Sequence, residues 1–148
     1  MSDCYSEAAV RHYIDGGILF QNTRYDNAMC HYAFSAECAI KALWEQFRVV
    51  YPQLPLDKIH SVEADLVSMI TYSELLGLWD PRLSLILGLD SLPPVLFEKH
   101  PGRRYQNDIN FTDAEVISSE KFAAQLNRQI ISAAIDGRLS YKTERGIL

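Results

Sequence analysis

One uninterrupted run constrains this chain more than any other feature. From Thr23 to Phe47 it reads TRYDNAMCHYAFSAECAIKALWEQF, with no proline or glycine. Such a run predicts a single helix of about six turns, ending near Val49-Val50. Thr23 can cap its start, with Asp26 as the acid of a Thr-x-x-acid box. Its large residues, Tyr25, Met29, Tyr32, Ile40, Leu43 and Phe47, recur at helical spacing. Between them lie Ala28, Ala33, Ser35, Ala36, Ala39 and Ala42. So few polar positions mean a helix covered on most sides, and short side chains let its neighbours approach closely. It reads as the central helix of a bundle.

The flanking sequence is helical too. Ser6 to Gln21 predicts a first helix capped by Ser6, with Ala9, Tyr13, Gly17 and Phe20 on one stripe and Val10, Ile14 and Ile18 beside it. Gly16 and Gly17 each cost such a helix about 1 kcal/mol against alanine, so close contact with the central helix is expected to offset them. Asn22-Thr23 turns the chain into an antiparallel hairpin. Tyr51-Pro-Gln-Leu-Pro55 stops the central helix. A further helix is expected from Asp57 or Ser61 to Tyr72, and a short one from Asp80-Pro81 to Gly88. Asp90 to Phe111 reads as a long loop, fixed by Leu92-Pro-Pro94 and His100-Pro-Gly102. Thr112-Asp-Ala-Glu115 repeats the capping pattern, so the last helix starts there or near Ser118 and runs to Asp136, with Gly137 as its stop. Residues 138–148 form a polar tail expected to fray. The predicted fold class is all-α: an up-and-down bundle of four main helices with a short fifth, in one domain over residues 1–137.

Composition narrows the function classes. The chain has 148 residues, a net charge of −5 and only 22% charged residues, which argues against a general nucleic-acid-coating protein. No apolar run reaches the roughly 20 residues that span a bilayer. The start, MSDCYSEAAV, lacks the basic-then-apolar order of a signal peptide, so a cytoplasmic location with no membrane partner is expected. The three cysteines, Cys4, Cys30 and Cys38, are read as reduced thiols. Asn110-Phe-Thr112 matches a glycosylation acceptor and is read as chance without secretion. Nothing in the Cys/His spacing closes on a metal ion, and no cofactor loop is present.

Three groups of residues carry the candidate chemistry. Arg24 and His31 lie two turns apart and can share a helix face as a catalytic pair; a surface arginine with a packed histidine is the plainer reading and is preferred. Glu37 and Lys41, at i and i+4, are read as a structural polar pair, with a bond from Glu37 to Arg104 plausible if the helix is buried all round. Lys99, His100, Arg103, Arg104 and Tyr105 form the one basic cluster with an aromatic face, which Arg82 can join. It suits a phosphate or a stacked base, or else a loop pinned to the bundle by its Arg-Tyr pair, and both readings stand.

Arg24-Tyr-Asp-Asn-Ala28, Tyr32-Ala33 and Ala36-Glu-Cys-Ala-Ile-Lys-Ala-Leu43 resemble the second helix of HEPN domains. Ala9, Arg11 and His12 in the preceding helix, His60 at the entry to the third, and Arg104-Tyr105 before the last agree in order with that family. The resemblance spans roughly residues 5 to 137. It implies a helical bundle that often forms homodimers, with roles ranging from metal-independent ribonuclease to nucleotide binding to partner docking. Many such proteins are paired with a nucleotidyltransferase or act in toxin–antitoxin and antiviral systems. The ribonuclease branch carries an arginine, four to six residues and a histidine near a late helix, but here no histidine follows His100. The functional expectation is therefore a self-associating binding module contacting nucleotide, RNA or a protein partner. A metal-independent ribonuclease using Arg24 and His31, and a non-catalytic structural partner subunit, are the alternatives.

Overall fold

The computed structural model describes residues 4–50, 93–105 and 110–135, with short strands at 142–143 and 146–147. Within them the chain is helical: α1 spans Tyr5–Gln21, α2 Tyr25–Val50 and α3 Asp113–Ile135. A 3-10 turn covers Gly102–Tyr105. The only strands among the described residues are a two-residue antiparallel pair in the tail, Lys142–Thr143 with Gly146–Ile147, where the sequence suggested only fraying. The helices expected at 57–72 and 80–88 lie outside the described residues, as do His60 and Arg82. Among the described residues no helix is long and apolar enough to cross a membrane.

The α1–α2 junction differs from the sequence reading. Asn22 is the last residue of α1's cap, and Thr23 has φ 57°, in the left-handed region. The Thr23 amide donates to Phe20 O at 3.0 Å and the Arg24 amide to Leu19 O at 2.9 Å. These are the paired bonds of a left-handed helix stop, a place where glycine is usual. Thr23 therefore closes α1 and does not cap α2, whose first residue is Tyr25. Ser6 likewise lies inside the first turn of α1, buried, and the capping position falls to Cys4, which makes no side-chain capping bond. At α3 the pattern reads through directly. The Thr112 amide donates to Glu115 Oε1 at 3.0 Å, and the Glu115 amide donates back to Thr112 Oγ1 at 3.2 Å. This reciprocal box starts the helix at Asp113.

Contacts at successive levels give the helix directions. Phe20 stacks on Tyr25, which sits beside Asp113. Tyr13 packs against Tyr32 and donates its hydroxyl to Glu120. Ser35 Oγ donates to Ala9 O at 2.6 Å, and Asn127 Nδ2 donates to Ser35 Oγ at 2.8 Å. Numbers rise together along α2 and α3 and fall along α1. So α2 and α3 run parallel, and α1 runs antiparallel to both.

The core is the small-residue face of α2 closed by its neighbours. Ala28, Met29, Tyr32, Ala33, Ala36, Ala39, Ile40, Ala42 and Leu43 are all buried, with Ala9 from α1, Leu96 from the irregular segment and Val116, Phe122, Leu126 and Ile130 from α3. On α1 the inward stripe is Ser6, Ala9 and Gly16, while Ile14 and Ile18, expected beside the core stripe, are exposed. The two glycines differ for the same reason. A Cβ on Gly16 would stand 2.7 Å from Tyr32 Cε1, whereas one on Gly17 would meet nothing within 4 Å. Close contact with the central helix accounts for Gly16 only.

Substitution should separate them. Gly16→Ala is expected to destabilise by about 1–3 kcal/mol through overpacking against a buried ring. Gly17→Ala is expected to stabilise the folded chain by up to about 1 kcal/mol through helix propensity. Chemical denaturation of the two variants checks both signs.

Candidate functional site

A polar stripe runs along α2 at His31, Phe34, Glu37 and Lys41, spaced by one helical turn each. Two other parts of the chain cover it. From α1 come His12 and Tyr5; from residues 93–105 come Phe97 and His100. His12 Nδ1 lies 3.1 Å from His31 Nδ1. The His12 ring stacks on Phe34 at 5.5 Å between centroids, and the His100 ring meets Phe34 edge-on at 4.7 Å. His100 Nε2 lies 2.8 Å from Glu37 Oε2, and Lys41 Nζ lies 3.1 Å from Glu37 Oε1. Lys41 in turn sits over the Tyr5 ring. One continuous series of contacts thus joins His31 to Tyr5.

Glu37 is the charge at its centre. Burial pushes its carboxyl upward, but the bonds from His100 and Lys41 outweigh burial and hold it at about 2. An ionised carboxylate only accepts, so His100 must present Nε2–H. The side chains of His100, Glu37 and Lys41 are 2%, 4% and 8% exposed. The pair read as structural is therefore a buried pair with a third member that the sequence did not suggest. The expected Glu37–Arg104 bond falls on a side chain outside the described residues.

Burial lowers the proton affinity of His12 first, then repulsion from His31 and Arg11; Asp15 and Glu37 act against them.

The basic segment turns half of its charge inward. It is a chain of tight turns, with amides of Leu96, Glu98, His100 and Arg103 donating to carbonyls three or four residues back. Leu96 fills the core. Arg103 is 3% exposed, and its guanidinium donates to Val95 O at 2.8 Å, Glu98 O at 3.2 Å and Met29 O at 2.8 Å. It lies over the Phe111 ring, and burial lowers its proton affinity from the usual value. Arg103 therefore ties this segment to α2, and His100 ties it to Glu37. Two of the five residues expected to meet a phosphate face the interior instead. Lys99 and Tyr105 are exposed, Tyr105 by 77%.

Arg24 is exposed just before α2, and His31 is half-buried against His12. About 10 Å of helix rise separates the two. The cysteines Cys4, Cys30 and Cys38 are free thiols. Among the described residues no group of three or more His, Cys, Asp or Glu side chains gathers in a way that could hold a metal ion. Sequence reasoning missed the His12–His31 contact as a site. Its one available signal was that the two histidines fall at similar distances from the turn joining two antiparallel helices.

No protein-family model, curated protein or solved structure matches the chain.

Two outcomes follow from this arrangement. Glu37→Ala leaves Lys41 and His100 buried without their anion and is expected to cost about 3–5 kcal/mol. Because Glu37 titrates below its ordinary value of 4.5, the stability it gives is present above pH 4.5 and is lost as pH falls towards about 2. Glu37→Gln should flatten that acid limb in a pH series of melting curves. Arg103→Ala should destabilise by about 2–4 kcal/mol, since three carbonyls, Met29 O buried among them, lose a charged donor.

Proposed function

We propose that this chain is a HEPN-like binding module that works as a self-associated unit. The observation that carries the reading is the outer face of α1. Ile14 and Ile18 are each 54% exposed there, one turn apart, with Gly17 between them open to solvent-side approach. Single exposed apolar side chains are ordinary. An isoleucine pair around a helical glycine that has no neighbour to make room for is different. It lets a second helix come near and bury both isoleucines. Ile117, Ile131 and Ile135 on α3 add further exposed apolar surface.

The ligand side of the reading is narrower than the basic cluster first implied. With His100 and Arg103 directed inward, a nucleotide or RNA contact rests on Lys99, Arg104 and Tyr105, two cations and a stacking face. A nucleotidyltransferase-type or other protein partner, in a toxin–antitoxin or defence setting, is the context that the HEPN resemblance favours.

A second reading, a metal-independent ribonuclease, draws on one specific observation. His31 is in contact with His12, so two imidazoles meet at one half-buried position, and either could act as a general base or acid on a ribose hydroxyl brought within hydrogen-bond reach. Arg24 takes the charge-stabilising role in this reading.

Light scattering on the purified protein should give twice the chain mass, and Ile14→Glu/Ile18→Glu should halve it with unchanged circular dichroism. A wild-type monomer at micromolar concentration removes self-association from the account. Incubation with RNA in excess chelator decides the second reading: shortened RNA that His31→Ala leaves whole supports it, and RNA left whole by the wild type ends it.

A further inference from the structure

The contact between His12 and His31 uses the same nitrogen on both rings, and that restricts what it can hold. Two Nδ1 atoms 3.1 Å apart can share one hydrogen only. One ring must be the Nδ1–H tautomer and the other must offer an Nδ1 lone pair, keeping its own hydrogen on Nε2. A metal ion in that position would have two protein ligands, since no group of three gathers among the described residues. A proton is the occupant that this geometry satisfies fully.

We propose that the His12–His31 contact is a proton-operated latch between α1 and α2. The first added proton goes to the outer Nε2 of the donor ring. The N–H···N bond survives this step and becomes charge-assisted. The second has only the shared Nδ1 lone pair to bind. It sets N–H against N–H and two cations side by side, so the contact has to open. Acid therefore separates the two helices at this level in a single defined step.

The surroundings set the direction. On α1, Arg11 adds like charge and Asp15 opposite charge; on α2, Glu37 adds opposite charge. Glu37 already accepts from Lys41 and from His100 of the 93–105 segment, so its charge is largely matched. His100 faces the pair only across the Phe34 ring. Burial first, then a proton on His31 and the charge of Arg11, hold His12 below its ordinary value of 6.5, in agreement with a site that resists the second proton. A group with a lowered value in the folded state stabilises the fold above its unfolded value and stops doing so as pH falls through the folded one. The latch is closed above the ordinary imidazole range of about 6.5 and opens only at lower pH, when the second proton binds. The bond from Asn127 to Ser35 involves no titrating group in this range, so α2 and α3 stay together, while the Ser35–Ala9 O bond and the Gly16–Tyr32 contact confine the loosening of α1 to the level of His12.

Hydrogen exchange of the intact protein at about pH 7.5 and about pH 5, corrected for intrinsic rates, reads this directly. Protection in residues 5–21 should fall by about tenfold or more at the lower pH, while protection in 113–135 changes little. In His12→Gln, and independently in His31→Gln, that selective loss should vanish, because glutamine keeps a hydrogen bond and takes no proton. Equal pH responses in wild type and both variants, or a wild type with no selective loss in α1, would overturn the latch. Nitrogen-detected NMR of the wild type at neutral pH needs no variant. It should find one Nδ1–H and one Nε2–H imidazole; two Nε2–H rings would overturn the shared proton.

Discussion

How near α1 can come to α2 decides almost everything else in the described structure. At Gly16 the backbone of α1 lies directly against the Tyr32 ring, leaving no room for a methyl group. Two turns further along, the helices are close enough for Ser35 to donate to a backbone carbonyl, Ala9 O. That carbonyl belongs to a helix interior, so the bond needs a short side chain on a closely packed neighbour. Asn127 then reaches the same serine from α3. Small residues on α2 thus do two things together. They shorten the distances between three helices, and they make a buried polar node that only those distances permit. Buried polar groups tolerate few alternative arrangements, so the node fixes the rotation of each helix about its axis as well as its distance.

The same closeness makes the polar stripe of α2 a buried one. A charged i, i+4 pair on an open helix contributes only a few tenths of a kcal/mol. Here Glu37 and Lys41 are covered, and an unmatched charge would cost far more. The irregular segment 93–105 supplies the match. His100 completes the coordination of Glu37, and Arg103 reaches past its own turns to a carbonyl of α2. A segment of tight turns ending in one 3-10 turn is held by two basic side chains directed into the fold. Its inward charge is a condition of its shape.

Much of this was legible in the sequence, for reasons that differ by element. The continuity of α2 and its buried small-residue face follow from composition at helical spacing, which tertiary context only reinforces. The Thr112–Glu115 box was legible because both partners lie within one turn. Thr23 looked identical on paper, yet the turn after α1 required a left-handed residue at that position and took the threonine for it. Ile14 and Ile18 fall beside the core stripe in the sequence pattern, because a hydrophobic stripe on one helix leaves its inward edge ambiguous by one position. The destinations of His100 and Arg103 were not legible at all. Whether a loop arginine faces solvent or a carbonyl seventy residues away depends on packing that no local pattern encodes. The meeting of His12 and His31 belongs to the same class, since it requires the interhelical distance set by Gly16.

The central claim is that contact between Gly16 and the Tyr32 ring sets this distance. A double-mutant cycle on Gly16→Ala and Tyr32→Leu, followed by denaturant unfolding, measures that contact and little else. If the account holds, the added methyl is costly beside the tyrosine and nearly neutral or stabilising once the ring is gone, with a coupling of about 1 kcal/mol or more. Additive effects of the two substitutions would mean that the helices are spaced by something other than this contact.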